Sequence, residues 1–153
     1  MSATSTPVGR GAALYLRLAL AGAFVSAVAD RFGFWGPPGA AGVAWGDFAP
    51  FLDYTASLVP FLPPDAVPVL GGAVTVAEVA LAAALLIGFR VREAAAASAL
   101  LLLGFALGMV IGDGPKSPLD ASVFTASAGA LLLYAYPHSL WSVDSTLASR
   151  RDR

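Results

Sequence analysis

Four stretches of this chain run for the length of a bilayer-crossing helix with almost no charge, and that limits the fold more than any other feature. A helix needs roughly 20 apolar residues to cross a hydrocarbon core of ~30 Å. The stretches are residues 12–32, 67–89, 94–111 and 119–136, and they take up most of the 153 residues. Charged residues make up only 12% of the chain and hydrophobic ones 58%, whereas a soluble domain is about 25% charged. Too little charge is present to coat a surface in water. The expected fold is all-α: an integral membrane four-helix bundle forming a single domain. The fourth stretch is the most polar, but Ser122, Thr125 and Ser127 are residues that a packed membrane helix accommodates by bonding to its own backbone or to a neighbour. Gly104 and Gly108 form a GxxxG pattern in the third stretch, which lets another helix approach closely, in the same chain or in a second copy of it.

The one long connection lies between the first two stretches. Pro37, Pro38 and the glycines around them start it as a loop. From Asp47 the spacing of Phe48, Phe51, Leu52 and Val59 becomes helical, with Asp47 as N-cap and Pro60 as stop. A short amphipathic helix over residues 47–59 is expected to lie along the membrane face, with Trp35 and Trp45 at headgroup level. Arg10, Arg90, Arg92 and Arg150, Arg151 and Arg153 of the tail at 137–153 fall on one side of a four-span chain, against Arg31 and Lys116 on the other. The positive-inside rule then puts both termini in the cytoplasm of a bacterial inner membrane protein. Arg10, the apolar run from Leu18 to Val25 and the triplet Ala27-Val28-Ala29 also resemble a cleavable signal peptide. Arg17 interrupts that apolar run and the whole stretch is longer than a usual signal core of ~7 to 15 residues, so the first span is expected to be retained.

Ionisable residues within spans are costly and usually face the bundle interior, where they mark a site. Glu78 lies near the middle of the second stretch, and Arg17 about one and a half turns into the first. In antiparallel helices their depths differ by roughly 9 Å, a gap that the two side chains can close, so a pair is expected; it either forms a site or fixes helix register. A second cluster is expected at the outer rim: Asp30 and Arg31 ending the first span, Lys116 and Asp120 flanking the fourth, and Trp35, Trp45 and Tyr54 in the covering connection. Asp120 is placed either as N-cap of the fourth span or as a partner of Arg31. His138 is read as an interfacial residue at a helix C-terminus. With one histidine and no cysteine, the chain lacks the ligands for a bis-His haem, an iron–sulfur cluster or a His/Cys zinc site of its own. The few basic residues are scattered, which leaves no footprint for nucleic acid.

The arrangement LYLRLALAGAFVSAVADRFGF followed by VAEVALAAALLIGFRVREAA resembles the DoxX family of small four-helix membrane proteins. Arg17 early in helix one, Glu78 in helix two and the Gly88-x-x-x-Arg92 turn before helix three occupy the places of that family's pattern, and ADRFGFWGPPG and SPLDASVF resemble one of its branches. The resemblance implies redox chemistry at the membrane, as in the small subunit of a thiosulfate:quinone oxidoreductase or in a complex with superoxide-detoxifying and sulfur-transfer partners. The implied role is a quinone-facing or redox-partner subunit, in contact with lipid, an oxidoreductase subunit or a quinone. In that reading Arg17 binds a ligand oxygen and Glu78 relays a proton, while Asp30, Arg31, Trp35, Tyr54 and Asp120 line the quinone or substrate site. The alternative is an accessory membrane subunit without chemistry, whose polar pair is architectural. A small-solute transporter ranks third, because four helices without an internal repeat leave little room for alternating access.

Overall fold

The computed structural model describes residues 6–137 and 140–144. Arg150, Arg151, Arg153 and His138 lie outside the described residues. The helices are α1 (Pro7–Arg31), α2 (Phe48–Leu58), α3 (Ala66–Ile87), α4 (Val91–Asp113), α5 (Lys116–Asp120) and α6 (Val123–Ala135), and the described residues contain no strand. Three of them, α1, α3 and α4, are long and apolar enough to cross a membrane. Their outward faces carry large apolar side chains in the open, among them Val25, Val76, Leu100 and Leu107. A helix that is apolar on its inner and outer faces suits lipid contact, and the chain has the make-up of a multi-pass membrane protein.

Local sequence accounts for the helix ends. Thr6 caps α1 by accepting from the Gly9 N–H at 3.2 Å, and Pro7 occupies the first turn, where its missing N–H leaves nothing unsatisfied. The helix therefore starts ahead of the apolar run that marked it in the sequence. Asp47 caps α2 as expected, accepting from the Ala49 N–H at 2.9 Å. The fourth apolar stretch is not one helix. Ser122, with φ of 56°, breaks the ladder between α5 and α6, leaving α6 with 13 residues. No glycine or proline stands at that break, so the sequence carried no signal of it.

α1 packs along α3 and α4 along α6, the α1–α6 and α3–α4 seams close the ring, and α2 lies across α3 and α4. The core is made largely of alanine: Ala21 of α1, Ala82 of α3, Ala94, Ala95 and Ala99 of α4 and Ala130 of α6 surround Leu20, Phe24, Leu85 and Leu133. Such helices approach closely, which is how bundles associate when lipid removes the hydrophobic drive between them. Buried hydroxyls are satisfied within the bundle. Ser98 donates to the Ala94 carbonyl and Ser127 crosses to the Ala99 carbonyl, each at 2.8 Å.

The α3–α4 turn is held from outside by residues 140–144. Gly88 ends α3 with φ of 69°, and the residues that start α4 have no side-chain cap of their own. Asp144 supplies it, accepting from the Arg90 N–H at 2.8 Å and the Val91 N–H at 2.9 Å, while its own N–H donates to the Gly88 carbonyl at 3.1 Å.

Candidate functional site

Arg31 is the last residue of α1, and its side chain runs back along the helix, as Cα–Cβ vectors direct it. There it meets α3. Nη1 donates to Thr75 Oγ1 at 2.9 Å and to Glu78 Oε2, and Nη2 donates to Glu78 Oε1 at 3.1 Å. The pairing is bidentate, the strongest arrangement of these two groups. Thr75 lies one helical turn before Glu78 and passes its own proton to the Gly71 carbonyl at 2.8 Å. The guanidinium carbon sits 3.9 Å from the centre of the Phe51 ring, so α2 covers the pair with an aromatic face. Both ions are taken out of solvent: Arg31 is 4% exposed and Glu78 is 1% exposed. Arg31 Nε is buried without a hydrogen-bond acceptor among the described residues.

The pair forms part of the wall of a cavity of about 470 Å³ at this end of the bundle. Phe24 and Ala27 of α1, Val74 of α3 and Phe105 and Met109 of α4 make its sides apolar, and Trp45, Phe51 and Tyr54 lie over it. Gly104 borders the cavity but is itself exposed, and a Cβ there would meet nothing within 4 Å. Four residues along α4, Gly108 serves differently, seating Leu58 of α2 with its Cβ position 3.4 Å from Leu58 Cβ. The GxxxG pattern thus divides into one glycine exposed at the cavity's border and one that admits the helix covering it.

Asp30, next to Arg31, has another task. Its Oδ2 accepts from the Ala44 N–H at 3.0 Å and the Trp45 N–H at 2.9 Å, pinning the long connection to the end of α1. Trp45 is thereby set against Tyr54, with ring centres 4.9 Å apart, and edge-on to Phe51 at 5.9 Å. The Tyr54 hydroxyl donates to Asp113 at the end of α4. Burial, and then the Asp113 carboxylate, push the Tyr54 phenol up to about 12.

The expected partner of Glu78 is corrected: it is Arg31, not Arg17. Arg17 is 1% exposed at the opposite end of the bundle, where Nη2 donates to the Trp141 carbonyl at 2.8 Å beside Gly88. Gly88 lies ten residues beyond Glu78 along α3, so the two charges are about 15 Å apart in depth at ~1.5 Å per residue. The antiparallel register is offset from the one that span ends suggest.

Of the other expected site residues, Tyr54 lines the cavity. Asp30 holds the connection over it. Trp35 is 61% exposed, with its indole N–H donating to the Ser26 carbonyl at 3.2 Å, and Asp120 pairs with Lys116 on the surface instead of capping α6 or meeting Arg31. Thr75 and Phe51 were not expected at the site. Thr75 stands on the same helix face as Glu78, a spacing visible in the sequence; the placing of Phe51 depends on tertiary structure alone. Among the described residues, no cluster of three or more metal-ligating side chains occurs.

The sequence matches no family model, no curated protein and no solved structure.

Proposed function

We propose that this protein is a DoxX-like membrane subunit that holds a quinone in the cavity beneath α2 and serves a membrane oxidoreductase. One observation carries the reading: a buried guanidinium–carboxylate pair on the wall of an otherwise apolar cavity. Ligand pockets of ~300 to 1,000 Å³ with apolar walls and a few convergent polar groups are the usual form of a small-molecule site. A quinone fits this donor set, since Arg31 Nε is a buried donor in need of an acceptor and a quinone carbonyl is one. Trp45, Phe51 and Tyr54 would face the ring, Arg31 would orient a carbonyl, and Glu78 would hold or release a proton beside it. A bound quinone supplies an acceptor for two electrons and two protons. The apolar walls exclude water from the head.

The wider setting belongs to the same proposal. α5, α6 and the two residues between them, 116–135, amount to 20 residues, enough for a fourth crossing of a ~30 Å core. α2 then lies in the interface of a bacterial inner membrane, with both chain ends in the cytoplasm, as the bias of arginine predicts. An accessory subunit without chemistry is the second reading. It is favoured by the saturation of both Glu78 oxygens by Arg31, which ties α1 to α3 whatever the cavity holds.

Thermal unfolding in mild detergent separates the two. Ubiquinone or menaquinone should raise the melting temperature of the wild type, because a ligand that prefers the folded state stabilises it by mass action. Ala27→Leu enlarges a half-buried side chain of the cavity wall while keeping a strong helix former, so it should fold and lose the quinone shift. Absence of any shift in the wild type at saturating quinone would leave only the accessory reading.

A further inference from the structure

The cavity has one wall that the fold leaves thin. On the side of α6, Leu16, Ala23 and Ala27 follow one another along a single edge of α1, at spacings of seven and four residues. Leu16 closes the α1–α6 seam, since the Cβ position of Gly129 lies 3.2 Å from Leu16 Cδ1. Toward the cavity end the same edge offers only alanines. Ala23 and Ala27 on α1, and Val123 and Ala126 on α6, all line the cavity. Ala23 is exposed, although it sits two turns along from the closed contact. Val25 and Ser26 of α1 and Thr125 of α6 are exposed beside it, and Leu131 and Leu132 of α6 are exposed farther along, beyond Gly129.

The remaining sides differ. Trp45, Phe51 and Tyr54 cover the cavity, Arg31 and Glu78 close it against α3, and α4 lies tightly along α6. We propose that the α1–α6 seam is a lateral portal, through which a ligand dissolved in the bilayer enters and along which its long apolar tail stays in lipid. This inference rests on the reading of the cavity as a quinone site, and names the ligand class as a prenylated quinone with a long tail, not a water-soluble one. Size requires such an exit. A cavity of about 470 Å³ takes a ring and the first part of a tail, and the rest of a membrane quinone's chain has to leave through an apolar gap. The seam is lined by the small side chains that such a gap needs.

Two probes test it: ubiquinone with a single isoprene unit and ubiquinone with its full-length tail. Both should raise the melting temperature of the wild type in detergent. Ala23→Trp should abolish the shift given by the long-tailed quinone and keep the shift given by the short one. Because a tryptophan at the seam can disturb packing, Ala23→Cys is the companion variant; the chain has no cysteine of its own. Alkylated after folding with a bulky maleimide, it should change from binding both quinones to binding only the short one. Equal long-tail binding before and after alkylation would overturn the portal while leaving the site. Loss of both quinones after alkylation would also overturn it, showing that the seam holds the head instead of the tail. No shift from either quinone in the wild type would sink the site itself, and the portal with it.

Discussion

Glu78 gives both carboxylate oxygens to Arg31, so removing either partner leaves the other as an uncompensated ion in a low-dielectric interior. Arg31→Ala and Glu78→Ala should each cost about 3 to 5 kcal/mol, and the double variant should cost less than their sum. Additive losses in a double-mutant cycle on thermal stability would mean that the two side chains do not meet. Arg17→Ala, by contrast, should add independently to Glu78→Ala, since the two side chains lie at opposite ends of the bundle. The sequence showed that a carboxylate in mid-span needs a cation, but it offered two arginines at the two ends of α1. Choosing between them depends on how far antiparallel helices slide past each other, which no local pattern encodes. Tyr54 gives a second residue-scale prediction. Its phenol titrates at about 12 in the folded protein, above the ordinary ~10, so its contribution to stability is complete below about pH 10 and is lost as the pH rises through about 12. The near-ultraviolet phenolate signal should therefore end in a late component that Tyr54→Phe removes. A titration curve of the same shape in the variant would assign that component to another tyrosine.

At the scale of elements, the ends of helices decide the most. Among the described residues, Asp144 alone satisfies the Arg90 and Val91 N–H groups at the start of α4, from a part of the chain remote in sequence. Asp144→Ala should cost about 0.5 to 2 kcal/mol, the range of a lost N-cap. Amide exchange should speed up at Arg90 and Val91, and unchanged protection there would show that the clasp is not their shield. Gly88→Ala should cost ~1 to 2 kcal/mol for the left-handed backbone alone, and its Cβ would in addition fall 2.6 Å from Ser142 Cβ. The helices themselves were legible from apolar length, and the Asp47 cap of α2 from residue type and spacing. The break at Ser122 and the clasp at Asp144 were not. The first is a left-handed serine with no sequence mark, and the second is a contact between residues 54 positions apart.

For the whole molecule, the distribution of arginine predicts which ends share a side of the membrane. Single cysteines at Ala41 and Ser117 should react with an impermeant reagent on intact cells, and one at Glu93 in the first turn of α4 should not. Labelling at Glu93 from outside would reverse the orientation, and labelling of Glu93 together with Ala41 would break the four-span topology. The bundle was legible because low charge and apolar length leave little else for such a chain to form. The cavity was not, since it comes from where alanine and glycine face one another across helices. The spacing that marked Gly104 and Gly108 as packing residues could not tell which of them α2 would cover.

The clasp on α4 also places the folding of this protein in time. A chain made from its N-terminus presents Arg90 and Val91 well before Asp144, 54 residues later in the case of Arg90. At synthesis rates of ~5 to 20 residues per second, the start of α4 waits roughly 3 to 11 seconds for its cap. During that interval the α3–α4 hairpin carries free backbone donors next to the buried charge of Arg17. Its final locking is a late event, which cannot precede the synthesis of residue 144.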